Sequence, residues 1–184
     1  ITLFSIIFQD IVHPEWDIGY YISALINHSN ESDFTYCSNG STGNIGFRNN
    51  GKRITVLGDV DDQNGAEMTK GELIIKGNNF GEYLGCKMTG GSILVEGNSS
   101  SCTGSGMTGG KIIVNGDSTI HVGDDMKGGE IVIEGHAGKS VGSSMTGGTI
   151  HLNGDYKSLS DEIHGGNIYH KGKPIVLNGR RIEQ

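Results

Sequence analysis

All five methionines of this 184-residue chain occupy one position of a repeated pattern, and thioethers are ligands for soft metals. They are Met68, Met88, Met107, Met126 and Met145, each three residues after a glycine. A stacked ladder of methionines is nevertheless typical of core packing, because the flexible thioether fills uneven gaps. The column is therefore predicted to be interior rather than metal-binding.

Carboxylates and imidazoles are the next candidates for chemistry. One column holds Asp59, Asn78, Asn98, Asp117, His136 and Asp155. An acid–base pair would need carboxylates on neighbouring turns, but asparagine and histidine interrupt the acids. These residue types tolerate left-handed backbone and bond their own turn, so turn formation is predicted. The remaining histidines of the repeats fall in different columns and predict no facing cluster; they are His121, His151, His164 and His170.

Threonine, glycine and cysteine give weaker signals. Thr69, Thr89, Thr108 and Thr146 form a ladder like that of ice-binding coils, but Lys127 and His164 interrupt it and a second column is lacking. The glycine-rich runs contain no G-x-x-x-x-G-K-[ST] phosphate loop. Cys37, Cys86 and Cys102 are odd in number and lack metal or redox spacing, which favours free thiols in a reducing, cytoplasmic compartment. No catalytic, cofactor-binding or metal-binding residue is predicted.

These columns exist because the chain repeats itself between residues 51 and 173. Repeat starts lie 18 to 20 residues apart, at Gly71, Gly91, Gly110, Gly129, Gly148 and Gly166. Each copy has a short strand with apolar residues two apart, then a glycine and a turn residue, and in most copies a further glycine and the methionine. A fixed period near twenty predicts a solenoid whose copies stack.

The repeats are too short for a helix in each turn, and no helical periodicity is present. We therefore predict an all-β fold: a single-stranded, right-handed parallel β-helix of about seven turns, each of 18–20 residues. Its interior is expected to consist of aliphatic chains and thioethers. Residues 51–184 are predicted to form this domain, with a strand and helix appendage over residues 1–50. The last full turn, from Gly154 to Ile163, is one residue shorter and has Ile163 in place of methionine, so the coil is predicted to close there, with a basic end formed by Lys171, Lys173, Arg180 and Arg181.

The appendage differs in composition, with seven of the chain's twelve aromatic residues within its first 36 positions. Ile1 to Phe8 is a possible strand, too short to span a bilayer and lacking the basic start of a signal peptide. A helix is predicted over about residues 14–27, beginning at Pro14. It either caps the open end of the coil or docks on a partner subunit, and the two roles are compatible. Residues 37–50 indicate a degenerate turn or linker.

Overall charge limits the partners. The net charge is −7 and the pI is about 5.4. Nucleic acids and anionic membranes bind basic surfaces, so neither is predicted as a partner. Protein subunits or further copies of the chain remain the expected partners.

The glycine triplet of each turn and the M-[TK]-G-G corner resemble the GXGXG β-helix domain, over about residues 51–184. That domain occurs at the C-terminal end of the glutamate synthase large subunit and in the β-helical subunit of formylmethanofuran dehydrogenase. The ending GGNIYHKGKPIV, from Gly165 to Val176, is more similar to the latter. The aromatic N-terminal 36 residues and the short overall length depart from the pattern of that subunit.

The resemblance implies a non-catalytic scaffold subunit of an archaeal complex that reduces carbon dioxide to formylmethanofuran during methanogenesis. Molybdopterin with tungsten or molybdenum, and iron–sulfur clusters, would then belong to partner subunits and none to this chain. Two alternatives stay open: a free-standing glutamate synthase-type domain that assembles with glutaminase and FMN subunits, and a stand-alone β-helix enzyme or binding protein.

Overall fold

The computed structural model describes residues 18–182, which form one helix and ten strands. The predicted strand at Ile1–Phe8 and the predicted helix start at Pro14 lie outside the described residues. The elements are α1 (Ile18–His28), β1 (Asp33–Cys37), β2 (Asn50–Leu57), β3 (Lys70–Ile75), β4 (Ser92–Val95), β5 (Lys111–Val114), β6 (Lys127–Ile133), β7 (Gly147–Leu152), β8 (Asn167–His170), β9 (Lys173–Leu177) and β10 (Arg180–Arg181).

Strands β1 to β8 stack in chain order as one parallel sheet, and equivalent repeat positions pair with one another. Ile93, for example, pairs with Ile112, and Ile112 pairs with Ile131. A second line of parallel bridges runs through Val60, Asn79, Ser99, Ser118, Ala137 and Tyr156. The repeat period is thus one turn of the coil, which confirms the predicted parallel β-helix.

The interior contains the residues that the period-two pattern assigned to it. One strand residue of each inward pair stacks on its equivalents, as do Ile54, Leu73, Ile93, Ile112, Ile131 and Ile150. All five methionines are fully buried beside them, which confirms the core assignment of that column. The thioethers fit closely: a Cβ added to Gly129 would lie 2.6 Å from the Cε of Met107.

Polar side chains also lie inside the coil, contrary to the expected purely apolar interior. Asn64 and Asn79 are buried and joined by an Nδ2 to Oδ1 hydrogen bond of 3.0 Å. The buried hydroxyl of Thr103 lies 3.0 Å from that of Ser99 and 3.3 Å from that of Ser118. These groups are hydrogen-bonded to one another, which offsets the cost of their desolvation.

The turn column containing Asp59 behaves differently from its prediction. Its members are absent from the left-handed backbone region, and they bond the neighbouring turn rather than their own. The Oδ1 of Asn78 accepts from the amide of Asn98 at 2.9 Å, and the Oδ1 of Asn98 accepts from the amide of Asp117 at 2.8 Å. Asp59 and Asp117 accept in the same way from Asn78 and His136. The column is a ladder of side-chain bonds between turns.

The glycine before this column is required by close approach. Its φ at Gly97 is outside the left-handed region, but an added Cβ would lie 2.5 Å from the Oδ1 of Asn78 and 2.8 Å from the carbonyl oxygen of Gly77. A side chain there would displace the ladder. The strand-opening glycine has a different reason, since Gly91 adopts φ +82°.

The coil begins earlier than the predicted residue 51. Strand β1 pairs in parallel with β2 from Asp33 to Cys37, and Ile45 is fully buried below the next turn. Residues 33–49 therefore form a further turn, in which the buried Asn49 occupies the methionine column. The reading of residues 37–50 as a degenerate turn describes this segment, whereas a linker does not.

Helix α1 covers the N-terminal end of this first turn. The Ser23 hydroxyl donates to the carbonyl of Asn44 at 2.8 Å and accepts from the amide of Gly46 at 2.9 Å. Ile26 joins the core, whereas the apolar side chain of Leu25 is exposed. The helix thus satisfies main-chain groups at the edge of the coil, which is the capping role. It has 11 residues, and no described helix is long and apolar enough to cross a membrane.

The other end closes by reversal of the chain. Strand β9 runs antiparallel to β8, and β10 runs antiparallel to β9. The hairpins extend the sheet side of the coil without completing another turn. This creates an uneven C-terminal end, which is described below.

Candidate functional site

The residues first considered for chemistry are dispersed. Among residues 18–182, no group of three or more His, Cys, Asp and Glu side chains could hold a metal ion. The His151 ring stacks on Tyr169 with centroids 5.1 Å apart, and its Nε2 lies 3.7 Å from a Glu130 oxygen. The His170 Nε2 lies 3.8 Å from the Oδ1 of Asp155. The structure thus brings histidines next to single acids rather than to one another.

Asp155 forms the best-defined of these pairs. Its Oδ1 accepts from the Lys171 Nζ at 2.7 Å, and this hydrogen bond and charge hold the pKa of the Asp155 carboxyl below its ordinary value. The pair therefore favours the folded state above the ordinary aspartate pKa. That contribution disappears as the pH falls through the lower pKa of the folded state.

Replacing Lys171 with methionine is expected to raise the pKa of Asp155 toward its ordinary value, because the donor and its charge are removed. A pH titration of the Asp155 carboxyl by NMR measures this shift. Lys173→Met is the matched control, since Lys173 is exposed and forms no ion pair in the described chain. An unchanged Asp155 titration in Lys171→Met would contradict the assignment.

The thiols of Cys86 and Cys102 lie near the ring of Tyr83. Burial raises the pKa of the Cys86 thiol, and burial together with Glu82 and Asp124 raises that of Cys102. The third cysteine, Cys37, is exposed on β1. A raised pKa lowers the thiolate fraction and hence the nucleophilicity at neutral pH. These two half-buried thiols are therefore suited to packing rather than to nucleophilic catalysis.

Iodoacetamide at pH 8 is expected to alkylate Cys37 faster than Cys86 or Cys102, because access and thiolate fraction both disfavour the latter two. Peptide mass spectrometry over time gives the three rates. A Cys37→Ser chain should show the slow reactions alone. Equal rates for all three thiols in the folded protein would contradict this ordering.

The outer face of the sheet carries an apolar column, which we call the outer stripe: Ile74, Leu94, Ile113 and Val132. These residues pair side by side in neighbouring strands and alternate with the inward residues. Three are half-buried and Ile74 is buried, although all four point away from the core. Ion pairs border the stripe, among them Arg53 with Glu72 at 3.2 Å and Lys111 with Glu130 at 3.0 Å. It is an apolar column with a charged border on the outer face of the sheet.

A cleft of about 650 Å³ lies at the C-terminal end of the coil. Its apolar part is formed by Tyr156 and Leu159, and the Ser140, Ser158 and Ser160 residues line it further. This volume is within the range of ligand-binding clefts. The last full turn is one residue shorter here, and Ile163 takes the place of the methionine.

Charged residues form the rim of this cleft. Arg181 of β10 donates to the Asp161 Oδ1 at 2.8 Å and to the Ser160 carbonyl at 3.2 Å. Asp161 nevertheless keeps 98% of its side chain exposed, and Glu162 is exposed beside it. The basic end predicted from the sequence is thus partly neutralised, since Lys171 and Arg181 both pair with aspartates.

The floor of the cleft is an open edge of the coil. One turn earlier, the Ala137 amide donates to Asp155 at 2.9 Å and the Ala137 carbonyl accepts from Lys157 at 3.0 Å. The equivalent main-chain groups of Tyr156, and those of Leu159, have no hydrogen-bond partner among the described residues. The sequence indicated closure of the coil here through the irregular turn at residues 154–163, but not an unpaired edge.

Residues 18–182 have the fold of a parallel β-solenoid, and the outer stripe and the C-terminal cleft are notable surfaces of it. Searches against protein-family models and against curated proteins give no match for this chain.

Proposed function

We propose that this chain is a non-catalytic scaffold subunit that assembles with protein partners through the outer stripe. The observation that carries the proposal is the apolar column on the outward face of four neighbouring strands, from Ile74 to Val132. Burial of such side chains against a partner contributes about 25 cal/mol for each Å² removed from water. The bordering ion pairs supply the polar rim that interfaces usually have.

The rigidity of the coil supports this role. Main-chain hydrogen bonds join each turn to the next along the sheet and along the second line of bridges. The ladder of side-chain bonds that contains Asn78 and Asn98 joins some of the turns as well. Side chains on its outer face are therefore held at fixed spacing, close to the ordinary strand separation of about 4.8 Å. A fixed surface loses little conformational entropy when it binds a partner.

For the identity of the complex, the proposal rests on the repeat motif and on the ending from Gly165 to Val176. Their resemblance to the β-helical subunit of formylmethanofuran dehydrogenase points to a carbon-dioxide-reducing oxidoreductase. Molybdopterin, tungsten or molybdenum, and iron–sulfur clusters would belong to the partners. The three free cysteines favour a cytoplasmic location, where thiols stay reduced.

Purification of the tagged chain from its native host tests the proposal. Partners that contain molybdopterin and iron–sulfur clusters, identified by mass spectrometry and metal analysis, would support it. Recovery of glutaminase and FMN-containing partners would instead establish the glutamate synthase-type alternative. A monomer without partners would refute the scaffold function.

A pair of variants tests the surface itself. Ile113→Lys places a charge in the middle of the outer stripe, whereas Thr108→Lys adds the same charge at an exposed corner. We expect the first to abolish partner recovery and the second to preserve it, with the circular dichroism spectrum of the coil unchanged in both. Full partner recovery with Ile113→Lys would exclude the outer stripe as the interface.

A further inference from the structure

The cleft at the C-terminal end has main-chain groups that are positioned to pair with another chain. Each earlier turn bonds the turn after it at the column of Ala137 and at the column of Val141. Tyr156 and Leu159 hold the same two positions in the last turn, and their amides and carbonyls are unpaired within the described chain. We propose that this edge binds an extended peptide segment of a partner protein as one additional turn of the coil.

The shape of the end selects a peptide rather than a second coil. On the sheet side, β8, β9 and β10 continue beyond β7, whereas no described main-chain segment pairs with the free side of Tyr156 or Leu159. Side chains of the next layer do reach this edge: the His170 ring packs edge-on against Tyr156, and Lys171 and Arg181 pair with Asp155 and Asp161. The edge is therefore recessed below a wall of three strands, about 14 Å high at the ordinary strand spacing. A blunt coil end of another copy would meet the wall before it reached the edge. A single extended segment fits between them.

The lining defines the chemistry of the segment. The side chains that stack on Tyr156 and Leu159 must be small or apolar, as are those of Ala137 and Val141 in the turn below. Among the residues that line the cleft, Asp161 pairs with Arg181, and the exposed carboxylate of Glu162 leaves a net charge of −1. A segment with two apolar residues and a basic residue between or beside them matches these requirements.

This inference goes beyond the scaffold function, because it depends on the open edge and not on which complex the chain joins. The outer stripe and the column of Tyr156 have no residue in common. Loss of one surface by mutation therefore leaves the other intact, and the two proposals fail separately.

The test uses a fluorescein-labelled synthetic peptide with the sequence of residues 136–143, HAGKSVGS. It contains the required small residue, apolar residue and lysine, at the spacing that these positions have within one turn of the coil. We expect saturable binding to the full chain by fluorescence anisotropy, with NMR shifts concentrated on the amides of Tyr156 and Leu159. Absence of binding at about 1 mM peptide, a level that detects a free energy of about −4 kcal/mol, would overturn the proposal.

Two N-methylated peptides provide a matched control for main-chain pairing. Within the coil, the Gly138 amide donates to the previous turn, to Ser118 at 3.0 Å, whereas the Ala137 amide donates to the next turn. In a peptide on the open edge, the amide of the residue that copies Gly138 therefore faces Tyr156. The amide of the residue that copies Ala137 faces solvent. Methylation at the peptide's copy of Gly138 should weaken binding about fivefold, the value of one hydrogen bond. Methylation at its copy of Ala137 should not, and equal losses would refute pairing at this edge.

Variants of the protein locate the site. Glu162→Lys should weaken peptide binding by at least about threefold through removal of an attractive charge and addition of a repulsive one. Glu82→Lys, which makes the same charge change at another exposed position, should leave it unchanged. Equal effects of the two variants would indicate general charge attraction and would refute the assignment to this edge. Sedimentation of the protein alone checks the competing occupant: a dimer that Glu162→Lys dissociates would show that a second copy occupies the edge, and would overturn the peptide assignment.

Discussion

Met107→Asp is expected to destabilise the coil by at least about 4 kcal/mol, a large part of the stability of a domain of this size. Met107 is fully buried in the middle of the methionine column. The shorter side chain leaves a cavity next to Gly129, and the carboxylate finds no cation inside the coil. Chemical denaturation followed by circular dichroism measures the loss.

Two controls separate charge from shape and from position. Met107→Leu keeps an apolar side chain of similar volume, so its cost should stay below about 1.5 kcal/mol. Thr108→Lys changes the next residue, which is exposed at the corner where Lys127 stands one turn later, and should be nearly neutral. Equal stability of Met107→Asp and Thr108→Lys would refute the assignment of the interior.

The pH dependence of Met107→Asp has a defined sign. Burial raises the pKa of the introduced carboxyl group above the ordinary aspartate value of about 3.9. Its charge therefore destabilises the folded state most above that raised pKa, and the penalty decreases as the pH falls toward the ordinary value. The difference from the parent chain should be larger at pH 8 than near pH 5. The opposite trend would mean that the group is solvent-exposed.

The period of the sequence was sufficient to predict the stack, the strands and the methionine column. These follow from residue types that recur at one spacing, because identical columns must face the same way. The first turn was predicted only as a degenerate turn or linker, because Asn49 replaces the methionine and the preceding strand contains Phe34 and Tyr36 instead of aliphatic residues. Its pairing with β2 and the burial of Ile45 show that it belongs to the coil.

Backbone conformation was less predictable than burial. Tyr83, Lys87 and Cys102 adopt positive φ, although these residue types rarely do so. Equivalent residues share this conformation: Gly106 is the equivalent of Lys87, and His121 is that of Tyr83 and Cys102. Stacking on neighbouring turns fixes the conformation and offsets a strain of about 1 kcal/mol or more per residue. Local propensity therefore carries little information at these corners.

The C-terminal cleft could be predicted from the sequence only in part. The sequence revealed the shortened turn and the substitution of Ile163 for methionine, and it indicated that the coil ends there. It did not reveal that β9 reverses direction, because KGKPIV has the composition of one more parallel strand. The recessed edge at Tyr156 depends on that reversal, so no pattern within a single repeat could predict it.

For a substitution of glycine by alanine in the helical cap, helix propensity predicts stabilisation and packing predicts destabilisation. Gly19 lies in α1 and is buried, and an added Cβ would lie 1.6 Å from the carbonyl oxygen of Gly43. Alanine in an exposed helix is more favourable than glycine by about 1 kcal/mol. Here the collision is with main chain and cannot be relieved by a rotamer change. We therefore expect Gly19→Ala to separate the helix from the coil and to destabilise the chain by about 2–3 kcal/mol.

The physical reason is that the helix must approach the first turn closely for the Ser23 hydroxyl to reach Asn44 and Gly46. Gly19→Ala should therefore also expose the amide of Gly46 to solvent, which hydrogen exchange detects directly. Gly40→Ala is the control: its Cβ would meet nothing within 4 Å, so only the strain of φ +93° remains. Stabilisation by Gly19→Ala, with unchanged protection at Gly46, would show that the helix does not cap the coil.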